Sequence, residues 1–367
     1  MTPIKLVDLV SQYRKFAPAI DAGIQAVLDG GQFIMGPEVK TLEQELSQFT
    51  GARHVVGVCD GTKALLIALL ALGVGPGDEV IMPTFTFVSP AEMTVLIGAK
   101  PVFVDIDPDT YLIDPAAVQS AITARTKAVI AVSLFGQCAD FSSINEIAAR
   151  RGIAVIEDAA QSFGATHHGR RSANLCAIAT TSFFPSKPLG CYGDGGACFT
   201  SNDDLAKRMR EISQHGQSER YIHQVVGING RLDSIQAAIL SAKLPHLSWE
   251  LHARVAVAAR YEKALAGIVK VPRTSPGNSH VYAQYTIEVS NRARFRQVLE
   301  SLCVPTAVHY PVPLHRQPAY CKDFEPGAFP IAEQAATRVV SLPLHPYLEE
   351  GVQERVIAAV KEAAQEC

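Results

Sequence analysis

Lys187 lies in the run Thr180-Thr181-Ser182-Phe183-Phe184-Pro185-Ser186-Lys187-Pro188-Leu189-Gly190-Cys191-Tyr192-Gly193-Asp194-Gly195-Gly196. Residues 179–184 have strand character, but the rest cannot be regular. Pro188 removes a backbone donor and biases Lys187 toward an extended conformation. The glycines at 190, 193, 195 and 196 permit turns that side chains would forbid. A lysine fixed at the end of a buried strand suits a Schiff base with a carbonyl cofactor, because desolvation lowers the amine pKa and frees the nucleophile. In isolation, a lysine that snorkels to solvent from a glycine-rich turn would read the same way.

Two other stretches place chemistry at strand ends. The apolar run 153–156 leads into Glu157-Asp158-Ala159-Ala160-Gln161-Ser162. An acid at the end of a buried strand is costly without a cationic partner, and a pyridinium nitrogen would be one. Paired with Asp158, such a ring becomes an electron sink for carbanion chemistry, with Gln161 within reach of a ring hydroxyl. The competing role for Asp158 is a helix N-cap. The run 54–59 ends in Asp60-Gly61-Thr62 and opens an apolar helix. Its free N–H groups and dipole suit a phosphate, with Gly61 allowing close approach and Thr62 adding a hydroxyl. Asp60 and Thr62 are equally good as ordinary caps. Ser182 and Ser186 are further phosphate donors beside Lys187. One acid for a ring nitrogen, a lysine 29 residues later for an aldehyde, and a helix start for a phosphate together describe pyridoxal 5'-phosphate.

These residues need a scaffold of strands ending along one edge. Apolar runs at 54–59, 79–82, 101–104, 128–133, 153–156, 179–184 and 197–200 have strand length, with helical stretches at 63–72, 90–97, 115–124 and 141–150 between the early ones. Near-continuous apolar strands joined by helices predict an α/β fold with a largely parallel sheet buried on both faces. Ligands in such folds sit outside the carboxyl ends of the strands. Before the sheet, helices are expected at 17–29 and 38–49. The connector Gly30-Gly31-Gln32-Phe33-Ile34-Met35-Gly36 between them is too apolar for a free surface loop, and either lines a cleft or packs as a connector. Beyond residue 200, helices are expected at 203–215, 232–244 and 248–266, with Pro245 as a boundary. An α+β region follows: strands 281–289 and 306–310, helices 293–302, 330–340 and 349–365. The division expected is a large domain, 1–245, and a smaller C-terminal domain, 246–367.

Composition narrows the class. The 367 residues are 48% hydrophobic and 19% charged with net charge −3, enough for a large core and without the clustered basic charge of a nucleic-acid groove. The longest apolar run, 64–73, is too short for a membrane span. Eight cysteines show no CxxC or zinc spacing, and neither His309 nor the pair His167-His168 has partners at metal spacing, so no metal is expected. A cytoplasmic enzyme fits these features.

The chain resembles the DegT/DnrJ/EryC1/StrS family of pyridoxal-phosphate-dependent sugar aminotransferases along nearly its whole length. The resemblance rests on Phe33-Ile34-Met35-Gly36-Pro37-Glu38-Val39, Asp60-Gly61-Thr62, Pro83-Thr84-Phe85-Thr86-Phe87, Glu157-Asp158-Ala159-Ala160-Gln161, residues 182–196, Gly227-Ile228-Asn229-Gly230-Arg231-Leu232-Asp233 and His309-Tyr310-Pro311. It implies the type I aminotransferase fold and a homodimer with its active site at the subunit interface. It further implies that Lys187 binds the cofactor aldehyde and later moves protons, Asp158 pairs with the pyridine nitrogen, and Gln161 meets the ring's hydroxyl side. Phe87 matches the residue that stacks on the ring. Gly61, Thr62 and Ser182 match phosphate contacts, and Asn229 one donated by the second subunit. On local grounds alone, Phe87 reads as a core aromatic and Asn229 as a turn former.

Within that family the chain is most similar to enzymes that aminate the 3-keto carbon of UDP-2-acetamido-2-deoxy-3-oxo-glucuronate with L-glutamate, for bacterial surface polysaccharides such as O-antigen lipopolysaccharide. Arg231, His309 and Tyr310 match substrate positions there. A guanidinium at 231 could fork onto a carboxylate of glutamate or the sugar acid, whereas His309 could be a buried structural histidine. Two departures stand out. Asp60 replaces a frequent asparagine and must cap the helix or point away from a phosphate. Ser89-Pro90 replaces Ala-Thr, with Ser89 expected as N-cap and Pro90 as first helical residue. Rival readings are an aminotransferase for a 4-keto dTDP- or UDP-sugar, or a cofactor-binding regulator without catalysis. A sugar dehydratase of the same family is disfavoured, since that branch carries histidine in place of Lys187. An oxidoreductase lacks a GxGxxG after its first strand.

Overall fold

Short side-chain oxygens start many of the helices. Asp8, Asp60, Asp114, Asp140, Asn202 and Asn291 each accept a backbone N–H from the first turn of the helix they precede, satisfying donors that the helix itself leaves free. The computed structural model describes residues 3–367. Helices α1 (Leu9–Gly30) and α2 (Pro37–Thr50) lead into β1 (His54–Val58), α3 (Gly61–Ala71), β2 (Glu79–Pro83), α4 (Ser89–Leu96) and β3 (Lys100–Val104). Next come α5 (Pro115–Ala121), β4 (Thr126–Val132), α6 (Phe141–Ala149) and β5 (Ala154–Asp158). A small hairpin of β6 (Thr166–His167) and β7 (Arg170–Arg171) precedes β8 (Ile178–Ser182) and β9 (Gly196–Thr200). Helix α7 (Asp203–Ser213), hairpin strands β10 (Gln217–Glu219) and β11 (Ile222–His223), and helices α8 (Ser234–Lys243) and α9 (Leu247–Leu265) follow. The chain ends with β12 (Tyr285–Glu288), α10 (Arg292–Ser301), α11 (Pro330–Arg338), β13 (Val339–Leu342) and α12 (Glu350–Gln365).

The central sheet has the order β1-β9-β8-β5-β4-β2-β3. Its strands pair in parallel except at β9, which runs antiparallel to both β8 and β1. Six strands therefore point one way, and their carboxyl ends share one edge. Alternate residues feed opposite faces: Val129 and Ala131 join one apolar cluster, while Ala128, Ile130 and Val132 join the other. This is the α/β aminotransferase-like architecture expected from the sequence, and each expected sheet strand forms within two residues of its reading.

A third cluster lies around the β12–β13 pair, built from α9, α10 and α12. Helix α9 serves two clusters: Leu247 and Leu251 pack into the first, Val257, Ala258, Tyr261 and Leu265 into the third. Ile4 also packs into the third. Three expectations fail wholly or in part in this region. The strand expected over 281–289 is confined to β12, Tyr285–Glu288, since Tyr282 takes a left-handed φ of 47°. Residues 306–310 form no strand; Ala307 alone exchanges backbone hydrogen bonds with Ser341, and the flanking Pro305, Pro311 and Pro313 lack the donors that would extend the pairing on either side. The helix expected over 330–340 stops at Arg338, and the β-branched pair Val339-Val340 begins β13 instead. At the other end α1 starts at Leu9, well before residue 17, on the Asp8 cap, and accommodates Pro18 within it.

Candidate active site

Strands β5 and β8 lie side by side, with Asp158 opposite Thr180 and also opposite Val132 of β4. Asp158 is thus held at the sheet's carboxyl edge between two neighbours. It is buried, and one carboxylate oxygen accepts the Ala160 N–H at 3.0 Å. Burial pushes its pKa above the ordinary aspartate value, opposed by that N–H and by the charge of Lys187.

Lys187 follows β8 on a loop closed at its neck, where the Cys191 N–H donates to the Phe183 carbonyl at 2.8 Å. Inside the loop the Lys187 N–H donates to the Phe184 carbonyl at 2.9 Å. Although part of its surface faces the cleft, the protein packed around the amine pushes its pKa down, and the Asp158 carboxylate partly restores it. Lys187 and Asp158 therefore lie near enough for each charge to shift the other's titration.

Helix α3 brings its N-terminus to the same edge. A Cβ on Gly61 would lie 2.6 Å from the Ser182 Cβ, so only glycine lets the helix start approach β8 this closely. Asp60 turns its carboxylate onto the Lys63 N–H at 2.6 Å and the Lys63 ammonium at 3.1 Å. It caps the helix, as its charge requires. Thr62 Oγ1 lies 2.8 Å from Ser89 Oγ. That contact corrects the expectation for Ser89, which is buried as the first residue of α4 while Val88 occupies the cap without a side-chain bond.

Phe87, on the loop after β2, is 54% exposed and so is no core aromatic; the nearby Phe85 takes that place at 0%. The Phe87 ring lies 6.2 Å from the Tyr310 ring. Tyr310 accepts from Gln161 Nε2 at 3.3 Å, and Gln161 Oε1 accepts the Phe135 N–H at 2.7 Å. Burial raises the Tyr310 pKa, and the nearby Asp158 charge adds to the rise. His309 bonds Ser341 Oγ through Nδ1 at 2.9 Å, and burial together with the Lys187 charge lowers its pKa. These contacts and charges link His309, Tyr310, Gln161, Phe87, Asp158 and Lys187, while Gly61 meets Ser182 and Thr62 meets Ser89 at the same carboxyl edge of the sheet.

Asn229 and Arg231 sit differently. Arg231 Nε donates to Asn229 Oδ1 at 3.0 Å, and Gly230 between them accepts the Cys59 N–H at 3.0 Å. The neighbouring connector runs alongside: Ile34 bridges Asp233, and Gly36 N–H donates to Ser234 Oγ at 3.0 Å. Asn229 is exposed, and beside it Phe33 and Ile34 are 47% and 49% exposed. The connector's backbone is thus bonded to residues 233 and 234 of its own chain, while the side chains of Phe33, Ile34 and Met35 remain largely exposed.

Sequence reasoning missed the Thr62–Ser89 pair and the Gln161–Tyr310 contact, and it gave no role to Phe184, 51% exposed within the Lys187 loop. Ser-Pro at a helix start signals a cap, so nothing local pointed Ser89 elsewhere. Among the described residues, no group of three or more His, Cys, Asp or Glu is placed to hold a metal ion.

The model of the DegT/DnrJ/EryC1/StrS aminotransferase family matches residues 16–361. The chain is 53% identical over 358 residues to the UDP-2-acetamido-2-deoxy-3-oxo-D-glucuronate aminotransferase of Pseudomonas aeruginosa, covering 97% of this chain and 99% of that one. Among solved structures, S. venezuelae DesV in complex with a ketimine intermediate superposes with a TM-score of 0.97 at 40% identity, covering 100% of this chain and 99% of DesV. NtdA from Bacillus subtilis with bound cofactor PMP gives a TM-score of 0.89 at 34% identity, covering 96% of this chain and 82% of that one.

Proposed function

The chain belongs to the DegT/DnrJ/EryC1/StrS aminotransferase family, and from that premise we propose that it carries an amino group from L-glutamate to the 3-keto carbon of UDP-linked 2-acetamido-3-oxo-glucuronate. It is a pyridoxal-phosphate-dependent aminotransferase of keto nucleotide sugars. The observation that carries the reading is the pairing of buried Asp158 with a lowered-pKa Lys187 at the edge where α3 presents its N-terminus.

These residues fit pyridoxal phosphate. The glycine-permitted approach of Gly61 to Ser182 leaves backbone N–H groups of the α3 start, with the Thr62 hydroxyl, for a phosphate. When bound, the cofactor supplies an aldehyde that condenses with amines and a ring that accepts the electrons of a broken C–H bond. The chain does the rest. Lys187 Nζ would hold the cofactor aldehyde and, once freed by the donor amine, would carry a proton. The Asp158 carboxylate would hold a proton on a ring nitrogen, Gln161 and Tyr310 would serve a ring hydroxyl, and Phe87 would stack on a ring face. Arg231 offers a planar fork for a carboxylate, which both glutamate and a glucuronate possess, and His309, held by Ser341, stands near Lys187.

The active unit is a homodimer in which each chain's Asn229 serves the neighbouring copy's phosphate site. The exposed Phe33, Ile34 and Met35 beside Asn229 support this, being an apolar patch that a second copy would cover. Residues 1–245 form the cofactor-binding domain and 246–367 the smaller one. The product feeds a surface polysaccharide such as O-antigen, made in the cytoplasm; no helix among the described residues is long and apolar enough to cross a membrane.

Two measurements test the reading. Glutamate added to the purified holoenzyme should convert the visible aldehyde-form spectrum to the amine form; an unchanged spectrum would sink the transaminase assignment. A coupled assay over 3-keto and 4-keto UDP- and dTDP-sugars should favour the 3-keto UDP-uronate. Preference for a 4-keto sugar would overturn the substrate while leaving the reaction type intact.

A further inference from the structure

We propose that Lys243, on α8, is a positioning residue that fixes Lys187 in the cleft by holding the Gly190 carbonyl. Lys243 is the last residue of α8, one turn after buried Leu240 and shortly before buried Leu244 and Leu247, and is itself 1% exposed. A leucine or methionine there would avoid the several kcal/mol that burying an ammonium costs. Lys243 forms no ion pair within 4.0 Å among the described residues. Its Nζ donates to the Gly190 carbonyl and lies 5.0 Å from the Tyr192 ring centroid. The groups facing it are Glu250, Tyr192 and Cys191. Glu250 is itself engaged by Gln12 at 2.7 Å and Tyr347 at 2.6 Å.

From Gly190 the contact runs straight to Lys187. A Cβ on Gly190 would lie 2.4 Å from the Pro185 carbonyl oxygen and 2.8 Å from that of Phe184. Gly190 is therefore pressed onto the first turn of the loop, and the Phe184 carbonyl at that point accepts the Lys187 N–H. Seven residues before Lys243, on the same face of α8, Gln236 Oε1 accepts the Tyr192 N–H at 3.0 Å. Two side chains of one helix thus grip the returning limb of the loop, and the lysine holds the carbonyl of the glycine that is pressed against Phe184 and Pro185. A loop held this way presents the Lys187 amine at a set depth opposite Asp158.

The inference rests on the proposed role of Lys187, so its test has one arm that needs no cofactor. Lys243→Met removes the donor at nearly constant volume; Lys243→Arg keeps a charged donor. Amide hydrogen exchange of residues 184–193 in cofactor-free protein should accelerate in Lys243→Met and recover in Lys243→Arg, with the β4–β5 amides unchanged. In the holoenzymes, the pH midpoint of the visible cofactor absorbance should shift in Lys243→Met, and the single-turnover rate with glutamate should fall roughly tenfold or more. Superimposable exchange and titration curves for wild type and Lys243→Met overturn the proposal. If Lys243→Met does not fold, Lys243→Gln, with a shorter neutral donor, is read by the same criteria. A wild-type protein with no pH-dependent visible band refutes the Lys187 role instead, and the exchange arm still decides whether Lys243 holds the loop.

Discussion

Asp158 and Lys187 each bear a pKa displaced mainly by burial, and each charge partly offsets the other's displacement. Removing either should cost the reaction differently. Lys187→Ala loses the proton carrier, and the glutamate half-reaction should fall roughly 10²–10⁴-fold. Asp158→Asn keeps the shape but not the charge that protonates a ring nitrogen, and should cost about 10²–10³-fold; stopped-flow absorbance reads both. The adjacent Glu157 points to the other side of β5, where Ser172 Oγ, Ala173 N–H and Leu175 N–H donate to its carboxylate. Burial pushes its pKa up to about 7 from an ordinary 4.5. The folded chain then holds a proton that the unfolded chain has released, so this group's stabilising contribution is full below the unfolded value and is lost as pH rises through about 7. Melting temperatures of wild type should drop between about pH 5 and pH 8 more steeply than those of Glu157→Gln. Lys187, Asp158 and Gln161 were legible because strand, acid and lysine follow each other closely in the chain. The Gln161–Tyr310 bond was not, since it spans 149 residues and no local pattern encodes it.

The start of α3 carries a strict steric demand beside β8. Gly61→Ala puts a methyl 2.6 Å from the Ser182 Cβ, and the helix or β8 must give way. The expected cost is about 1–3 kcal/mol of stability, with weaker pyridoxal phosphate retention measured by equilibrium dialysis; an alanine variant that binds the cofactor as wild type does would show that the approach is not used. Elements of the parallel sheet were readable because each strand is a short apolar run bounded by caps and glycines. The segment 306–310 also reads as an apolar run, but it pairs only through Ala307, and the prolines at 305, 311 and 313 stop the pairing from extending beyond it. Val339–Leu342 was hidden by the opposite ambiguity, a β-branched tail attached to a genuine helix.

The exposed connector and the Asn229–Arg231 pair belong to the scale of the assembly. If the sites are shared, Lys187→Ala and Asn229→Asp, the latter setting a carboxylate against a phosphate, should each be inactive alone yet regain activity when co-refolded. Each mixed dimer then holds one undamaged site. Activity that stays absent after mixing, with mixed dimers verified by mass, would mean that every site is built from a single chain. Patches of this kind are only half legible in sequence: Phe33-Ile34-Met35 announces apolar surface, but not what lies against it. Helix α9, finally, is rooted in one apolar mass by Leu247 and Leu251 and in another by Tyr261 and Leu265, while Ile4 ties the opposite terminus to the latter. A shared rod makes neither half free to melt by itself, so calorimetry should record one endotherm, and cutting the chain near residue 245 should yield fragments that precipitate rather than two independent folds.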